Sequence, residues 1–278
     1  MKKLKRSARL VEMTQYLLVR PHSLIPLTTF AERYGSAKSS ISEDLAIIKE
    51  VFEEEGLGDL HTLAGAAGGV KFTPKVPKAA SVHILEEIRQ VLEQPDRLLP
   101  GGYLYMSDIL GQPNLINEVG KLFATAFADK ELDVVMTVET KGIPLAYATA
   151  SFLNLPVVIV RRDNRVTEGS AVSINYVSGS TKRIQTMTLG RRALKEQSKV
   201  LIIDDFMRAG GTIQGMIDLL REFKASVEGV GVLIESAEVD EHLIEDYISV
   251  AKLTAADPKT KQISVIPGNY FDERGISQ

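Results

Sequence analysis

The chain has 278 residues, of which 44% are hydrophobic and 25% charged, and its formal net charge is −3. This composition is typical of a globular protein with one large domain or two modest ones, and it excludes a disordered chain. The absence of cysteine excludes disulfides, Cys-ligated metal sites and thiol nucleophiles, and the four histidines show no metal-site spacing, so we expect no metal site. No uncharged apolar run approaches the roughly 18 residues of a membrane helix, and no apolar core follows the basic residues 1–9 as in a secretory signal. We therefore expect a cytoplasmic protein.

Positive charge is concentrated at the amino end of the chain. Residues 1–75 hold 11 Lys and Arg against 9 Asp and Glu, whereas residues 76–278 hold 22 against 27. The first nine residues form a basic arm that contains no acid, and its cations are Lys2, Lys3, Lys5, Arg6 and Arg9. A basic arm on an acidic protein favours a polyanionic partner. For the arm alone, a solvated and frayed terminus is the alternative.

The first predicted elements are short helices. Apolar residues at helical spacing predict a helix over residues 8–20. A second helix is predicted over residues 28–34, with Thr28 or Thr29 as its cap and Gly35 at its end.

A third helix is predicted over residues 36–55, with Ser36 or Ser40 as its cap. Its inward stripe consists of apolar residues three or four positions apart, namely Ala37, Ile41, Leu45, Ile48 and Phe52. Two β-prone runs at residues 60–63 and 70–73 flank a glycine-rich tip, and they predict a β-hairpin.

Three short helices followed by a hairpin is the element order of a winged helix-turn-helix domain, which we assign to residues 1–74. In such a domain, the helix that enters the major groove presents its amino end to the bases. Here that end carries a lysine, which suits phosphate or guanine, and three serines, whose hydroxyls suit phosphates or bases. An ordinary capped surface helix is the alternative. With the arm and the hairpin, the pattern predicts DNA binding through Lys2, Lys3, Lys5, Arg6, Arg9, Lys38, Ser39, Ser40, Ser42 and Lys71.

Residues 74–80 contain two prolines and two lysines, and they are the predicted linker to a second domain over residues 75–278. In this domain apolar runs alternate with helical patterns. Strands are predicted at residues 134–138, 157–160, 199–203 and 230–234, and helices at residues 82–93, 115–128, 143–153 and 212–224. Continuous apolar strands between helices indicate an α/β fold with a mainly parallel sheet flanked by helices.

A polar insertion at residues 161–190 interrupts the regular alternation. It is predicted to pair as a hairpin around Ser178, Gly179 and Ser180. Loops of this length are commonly lids or binding loops, and a solvated edge hairpin is the alternative.

The stretch at residues 200–212 carries the most chemical information. An apolar strand is predicted to end at two carboxylates, Asp204 and Asp205, and a glycine-containing turn then opens a helix. Backbone N–H groups at a helix start suit a phosphate, whereas carboxylates accept hydrogen bonds from hydroxyls. A sugar phosphate offers both groups. The stretch therefore predicts two acids on ribose hydroxyls and residues 208–212 around a 5′-phosphate.

This stretch resembles the phosphoribosyl pyrophosphate (PRPP) motif of type I phosphoribosyltransferases, in which an apolar strand, two acids, three variable residues, Ser or Thr, Gly, any residue and Thr follow one another. Ala209 stands where that family usually has Ser or Thr. The loop thus lacks one hydroxyl donor, and a hydrogen bond to a charged group contributes about 1.5–3 kcal/mol. We therefore expect binding of the phosphate to persist with weaker affinity.

Residues 137–144 look like the pyrophosphate loop of the same family, with Lys141 and the N–H groups near Gly142 on the pyrophosphate; a structural βα turn is the alternative. Residues 161–192 stand where the family has a flexible active-site loop. The PRPP-binding residues that the resemblance implies are Asp204, Asp205, Phe206, Met207, Arg208, Ala209, Gly210, Gly211, Thr212, Thr140, Lys141, Gly142, Arg161, Arg162 and Tyr103.

A winged helix joined to a PRPP-binding domain is similar to one family, the purine operon repressors of Gram-positive bacteria. The likeness is carried by residues 6–11, 36–45, 65–70, 99–103, 140–144 and 203–212. It implies a homodimeric repressor on inverted repeats in double-stranded DNA upstream of purine synthesis genes. It also implies PRPP, with Mg²⁺, as an inducer that lowers operator affinity, and guanosine tetraphosphate as a competing ligand in the same pocket. In that family the site senses PRPP without turnover.

Two other functions stay open on the residues alone. One is a catalytically active purine phosphoribosyltransferase with an accessory domain, since PRPP binding is half of that reaction. The other is an architectural or oligomerisation module in which the sugar-phosphate motif is vestigial.

Overall fold

A computed structural model of the chain describes residues 4–65, 68–100, 103–163, 169–177, 183–237, 242–257 and 259–272. The chain divides into two compact units. The amino-terminal unit is Met1–Pro77 with Phe152–Asn154, and the carboxyl-terminal unit is Lys78–Ser151 with Leu155–Gln278. None of the helices in these ranges has the length and apolar character of a membrane span.

The amino-terminal unit has the predicted order of three helices and a hairpin. Its elements are α1 (Arg6–Leu18), α2 (Leu27–Tyr34), α3 (Lys38–Glu54), β1 (Gly58–Leu63) and β2 (Gly69–Pro74). The strands β1 and β2 pair antiparallel. Helix α2 ends at Gly35, whose φ of +57° is the left-handed conformation that glycine adopts at low cost. The predicted winged-helix architecture is confirmed.

The predicted helix caps are wrong. Helix α2 begins after Pro26 and helix α3 begins after Ala37, and neither residue has a capping side chain. Pro26 leads the chain directly into α2, so the two predicted threonine caps already lie inside its first turn. The Ser36 hydroxyl donates to the Tyr34 carbonyl (3.4 Å) and not to α3. Ala37 is exposed, so the inward stripe of α3 starts one turn later than predicted.

The carboxyl-terminal unit is built on a six-stranded sheet in the order β12-β11-β10-β9-β5-β6. Its strands are β5 (Val134–Val138), β6 (Val157–Val160), β9 (Lys199–Met207), β10 (Ser226–Ser236), β11 (Ile248–Asp257) and β12 (Gln262–Pro267). All neighbours pair parallel except the edge strand β12, which pairs antiparallel with β11. The predicted α/β class with a mainly parallel sheet is confirmed.

Helices and two small strand pairs complete this unit. The helices are α4 (Lys78–Leu92), α5 (Ser107–Leu110), α6 (Pro113–Ala126), α7 (Gly142–Leu153) and α8 (Gly211–Arg221). The short strands β3 (Leu98–Leu99) and β4 (Tyr103–Leu104) pair with each other, as do β7 (Ala171–Val177) and β8 (Ile184–Gly190).

Strand β9 is longer than predicted, and this places the acid pair differently. Strand β10 pairs with β9 as far as Met207, which lies opposite Glu235. Asp204 and Asp205 are therefore inside the strand and not after its end. The strands β11 and β12 were not predicted, and they give the tail after residue 255 a place in the sheet.

The insertion at residues 161–190 does contain the predicted hairpin, β7–β8, although its predicted tip at residues 178–180 lies outside the described residues. One face of the hairpin packs on α8. Gly215 permits this approach, because a Cβ there would lie 2.9 Å from Tyr176 Cγ and 3.1 Å from Met187 Sδ. The hairpin is thus not a wholly solvated edge, since Val172, Tyr176, Met187 and Leu189 are buried in the core.

Candidate functional site

A cavity of about 830 Å³ opens at the carboxyl ends of the parallel strands. In an open α/β sheet this edge is where ligands bind, because loops and helix starts converge there. The lining residues are Tyr103, Leu104, Met106, Val138, Glu139, Thr140, Lys141, Arg162, Asp204, Asp205, Phe206, Met207, Arg208, Ala209, Gly210, Gly211, Thr212, Ile213, Ser236, Leu253 and Ala256.

The acid pair forms part of this lining. Asp204 is buried and Asp205 is half-buried, and the Asp205 N–H donates to Asp204 Oδ1 (3.0 Å). Burial and the charge of Asp205 raise the pKa of Asp204 well above its usual value. Burial also raises the pKa of Asp205, although the charge of Lys141 opposes this shift. Two carboxyl groups held close together and away from water are suited to accept hydrogen bonds from a ligand's hydroxyls.

Gly142 packs directly behind the acid pair. A Cβ at this position would lie 2.3 Å from Thr137 Oγ1 and 2.9 Å from Asp204 Oδ1, closer than real side-chain contacts allow. The loop that carries Thr140 and Lys141 can therefore lie close to Asp204 only with glycine at its end. Gly142 itself is not part of the cavity lining.

The turn before α8 supplies backbone donors to the cavity. We call residues 208–212 the phosphate loop. Gly210 has a φ of +82° and is the residue before α8, and its carbonyl accepts from the Gln214 N–H (2.8 Å). The positive end of α8 and the N–H groups of its first turn thus lie at the cavity, which is an arrangement suited to a phosphate.

Glu139 is a lining residue that sequence reasoning missed. Its carboxylate accepts from the Arg162 N–H (2.7 Å) and forms an ion pair with the Arg161 guanidinium (3.3 Å). The backbone of Arg161 also pairs with Thr188 of β8 in both directions. Arg162 lines the cavity, whereas Arg161 is directed to Glu139 and does not. Glu139 thus joins the end of β5 to the base of the insertion.

The structure brings the predicted PRPP residues together around one cavity, with Gly142 and Arg161 as the exceptions. The lining residues that were not predicted are Leu104, Met106, Val138, Glu139, Ile213, Ser236, Leu253 and Ala256. Glu139 lies inside the stretch that resembles a pyrophosphate loop and could have been found there. Leu253 and Ala256 come from β11, which no motif marks.

The amino-terminal unit carries the candidate nucleic-acid interface. Lys38, Ser39 and Ser42 are exposed at the start of α3, and Ser40 is half-buried. The side chain of Ile41 beneath them is wholly buried, which fixes this helix end on the core. Lys5 is exposed and Lys71 half-buried, whereas Lys2 and Lys3 lie outside the described residues.

Arg9 is not part of an exposed arm, which corrects the prediction. Its side chain is buried, Nε donates to Asp44 Oδ2, and a terminal nitrogen donates to Ser36 Oγ (3.2 Å). Arg6 Nε donates to Asp44 Oδ1 (2.9 Å), although the Arg6 side chain stays half-exposed. The first nine residues contain no acid, but the fold brings the Asp44 carboxylate of α3 into contact with two of their arginines.

This cluster also sets the ionisation of Asp44. Burial alone would raise the pKa of its carboxyl group, but the hydrogen bonds from Arg9 and Arg6 outweigh burial and hold the pKa below its usual value. Asp44 is therefore ionised at neutral pH and binds the start of α1 to α3.

Comparison with known proteins adds to this geometry. Residues 5–74 match the family described as "Bacterial purine repressor, N-terminal", and residues 106–265 match "Phosphoribosyl transferase domain". Over 269 residues the chain is 61% identical to the purine biosynthesis transcriptional repressor PurR of Bacillus subtilis, which covers 97% of this chain and 94% of that protein. It is 45% identical over 271 residues to the purine biosynthesis transcriptional activator PurR of Lactococcus lactis, which covers 98% of this chain and 100% of that protein.

Among solved structures, adenine phosphoribosyltransferase from Thermoanaerobacter pseudethanolicus is similar in fold, with a TM-score of 0.54 and 24% identity over 60% of this chain and 99% of that one. The resemblance predicted from the sequence is confirmed. Each of the two domains matches its own family, and the chain is similar to PurR proteins over nearly its full length. The chain therefore belongs to the PurR family of purine biosynthesis transcriptional regulators.

Proposed function

We propose that this chain represses genes of purine biosynthesis by binding operator DNA through its amino-terminal unit, and that PRPP is the inducer that releases it. The observation that carries the proposal is the cavity, which places an acid pair, a helix start and a lysine loop around one space in a chain that also has a winged helix. The relative that is 61% identical is named a repressor, and this supports the sign of the regulation.

The chemistry of the cavity fits PRPP in three parts. Asp204 and Asp205 accept hydrogen bonds from the ribose hydroxyls, and the phosphate loop binds the 5′-phosphate through its N–H groups. Thr140, Lys141 and Arg162 line the same cavity, and we propose that they bind the pyrophosphate. Mg²⁺ would enter with the pyrophosphate, because this cation is commonly bound through the phosphate oxygens of a substrate.

Induction requires that PRPP bind the DNA-free protein more tightly than the DNA-bound protein, because a ligand with equal affinity for both states shifts nothing. A tenfold release of operator DNA needs a difference of about 1.4 kcal/mol. Guanosine tetraphosphate offers a ribose with a pyrophosphate on each side, so we propose that it competes with PRPP for the same cavity.

A gel shift on DNA from upstream of purine genes, titrated with PRPP, tests the proposal. We expect the complex to dissociate as PRPP rises, and guanosine tetraphosphate to oppose the dissociation. Asp205→Asn should abolish the response to PRPP and leave DNA affinity unchanged, whereas Glu222→Gln, which removes one charge from an exposed position near the end of α8, should change neither. Loss of DNA binding in Asp205→Asn would mean that the carboxylate supports the fold.

The number of chains in the DNA-binding protein is a separate question. Helix-turn-helix proteins commonly bind inverted repeats as dimers, because a two-fold axis in the protein matches that of the DNA. We propose a homodimer, and light scattering of the full chain at the concentrations of the gel shift should give twice its 30.5 kDa mass.

We infer that the chain binds PRPP without turnover, since Ala209 removes a hydroxyl donor from the phosphate loop. The phosphoribosyl transferase match over residues 106–265 keeps the enzyme as the second candidate. Incubation with PRPP and adenine, guanine, hypoxanthine or xanthine distinguishes the two. We expect no pyrophosphate release, and nucleotide formation above a trace rate would refute the inference.

A further inference from the structure

A short segment at residues 242–247, here called the clasp segment, lies against the phosphate loop. The Leu243 N–H donates to the Ala209 carbonyl (3.0 Å). The buried side chain of Ile244 covers Gly210, because a Cβ on that glycine would lie 3.1 Å from Ile244 Cγ1. Two consecutive residues of the clasp segment therefore contact two consecutive residues of the phosphate loop.

The clasp segment is anchored at its carboxyl end by Tyr247. The Tyr247 hydroxyl donates to Glu235 Oε2, and Glu235 is a buried carboxylate on β10. Lys252 Nζ lies 3.6 Å from Glu235 Oε1, and Asn269 Nδ2 donates to the Tyr247 carbonyl (2.8 Å). Burial and the neighbouring carboxylate raise the pKa of Tyr247, so its hydroxyl stays a donor at neutral pH. Leaving a buried carboxylate without a hydrogen-bond donor costs free energy, so the hydrogen bond from Tyr247 to Glu235 stabilises the position of the clasp segment.

The contact at Ala209 also fixes the direction of the next N–H group. The peptide between Ala209 and Gly210 is trans, and in a trans peptide the C=O and N–H bonds point in opposite directions. Because the Ala209 carbonyl points to Leu243, the Gly210 N–H points away from the clasp segment. With alanine at position 209, the phosphate loop has no hydroxyl there, and binding of a phosphate depends all the more on backbone N–H groups.

We propose that Tyr247 is a positioning residue for the ligand's 5′-phosphate: it holds the clasp segment on Glu235, and the clasp segment orients the Gly210 N–H toward the phosphate. This inference rests on the proposed binding of PRPP. It assigns a ligand-directed role to residues that lie outside the motif.

Calorimetry on the full-length Tyr247→Phe variant tests the proposal, with PRPP, ribose 5-phosphate and pyrophosphate as separate ligands. Phenylalanine keeps the ring and its edge contact with His242, where the ring centroids are 5.8 Å apart, and removes only the hydroxyl. The variant loses the hydrogen bond from the Tyr247 hydroxyl to the Glu235 carboxylate, which holds the clasp segment in place. We therefore expect affinity for PRPP and ribose 5-phosphate to fall about tenfold. Affinity for pyrophosphate, which uses the loop of Thr140 and Lys141, and for operator DNA without ligand should stay unchanged.

Two further variants make the result specific. Tyr270→Phe is the matched control, because Tyr270 is wholly buried in the same unit and is not among the residues that line the cavity; it should bind all ligands as the unmodified chain does. Leu243→Pro removes the N–H that holds Ala209 while altering an exposed side chain, and it should reproduce the pattern of Tyr247→Phe.

Equal weakening of all ligands, or unchanged affinity for ribose 5-phosphate in Tyr247→Phe, would overturn the positioning role. If the unmodified chain binds neither PRPP nor ribose 5-phosphate, the proposed function itself is refuted. If the unmodified chain and Tyr247→Phe bind these ligands equally tightly, only the positioning role is refuted.

Discussion

Replacing Arg9 with methionine isolates the buried ion pair between α1 and α3. Methionine keeps an unbranched side chain of similar reach but removes the guanidinium. Asp44, which is 0% exposed, then keeps only Arg6, whose side chain is 54% exposed. Removal of one partner from a buried pair typically costs about 3–5 kcal/mol. Because Arg6 still binds one carboxylate oxygen, we expect a loss of about 3 kcal/mol in the free energy of unfolding of the amino-terminal unit.

Amide hydrogen exchange of α1 and α3 in the full-length chain measures this loss without separating the two units. Lys5→Met is the control, since it removes the same charge from an exposed residue and should change protection little. In the double variant Arg9→Met, Asp44→Leu, no buried carboxylate is left behind, so much of the stability should return. A change below about 0.5 kcal/mol in Arg9→Met would refute the reasoning, because it is the size expected of a surface substitution.

The same pair gives the sign of a pH dependence. The pKa of Asp44 is lowered in the folded chain, so its contribution to stability is present above the pKa of an unfolded aspartate and is lost as the pH falls below about 4. The protection factors of α1 and α3, which correct for the slower intrinsic exchange at low pH, should therefore fall more steeply on acidification in the unmodified chain than in Arg9→Met. A steeper acid response in the variant would show that the cluster is not the cause.

The remaining predictions concern single contacts. Lys38→Ala should weaken operator binding and reduce the slope of log affinity against log salt concentration by about one, as measured by gel shift; an unchanged slope would exclude a phosphate contact. Gly142→Ala should destabilise the carboxyl-terminal unit by about 1–3 kcal/mol and abolish PRPP binding in calorimetry, because its Cβ would press on Asp204. Gly215→Ala should push Tyr176 away from α8 and so increase hydrogen exchange in β7 and β8; unchanged exchange would mean that the hairpin shifts at no cost.

The parts of the site that a sequence can predict are those that lie close together along the chain. Residues 203–212 contain the end of a strand, two acids and a helix start. The apolar run predicts the strand, the acids are read directly from the sequence, and the glycines mark the turn before the helix. The pyrophosphate-like loop at residues 137–144 has the same property. Because parallel strands end at one edge of the sheet, two such stretches are brought together whatever their separation in sequence.

The parts that a sequence cannot predict depend on long-range pairing. Nothing local to Arg9 shows that Asp44 will neutralise it, and the prediction of an exposed arm was wrong there for that reason. Likewise, Leu253 enters the cavity only because β11 pairs with β10, which sets Ser236 opposite it. The helix caps were wrong for a different reason, since Pro26 alone can lead the chain into α2 without a side-chain hydrogen bond.

The proposed binding of PRPP does not by itself determine the sign of regulation. One relative of this chain is named a repressor and another an activator, yet both match nearly the whole chain. Linkage in such a protein determines only how a ligand changes occupancy of the DNA. We infer that the position of the operator relative to the promoter decides whether occupancy blocks or assists transcription. We therefore expect that moving one operator from within a promoter to a position upstream of it removes repression by this chain, while PRPP still lowers operator affinity in a gel shift by the same factor. A ligand response that changes with operator position would instead place the sign of regulation in the protein.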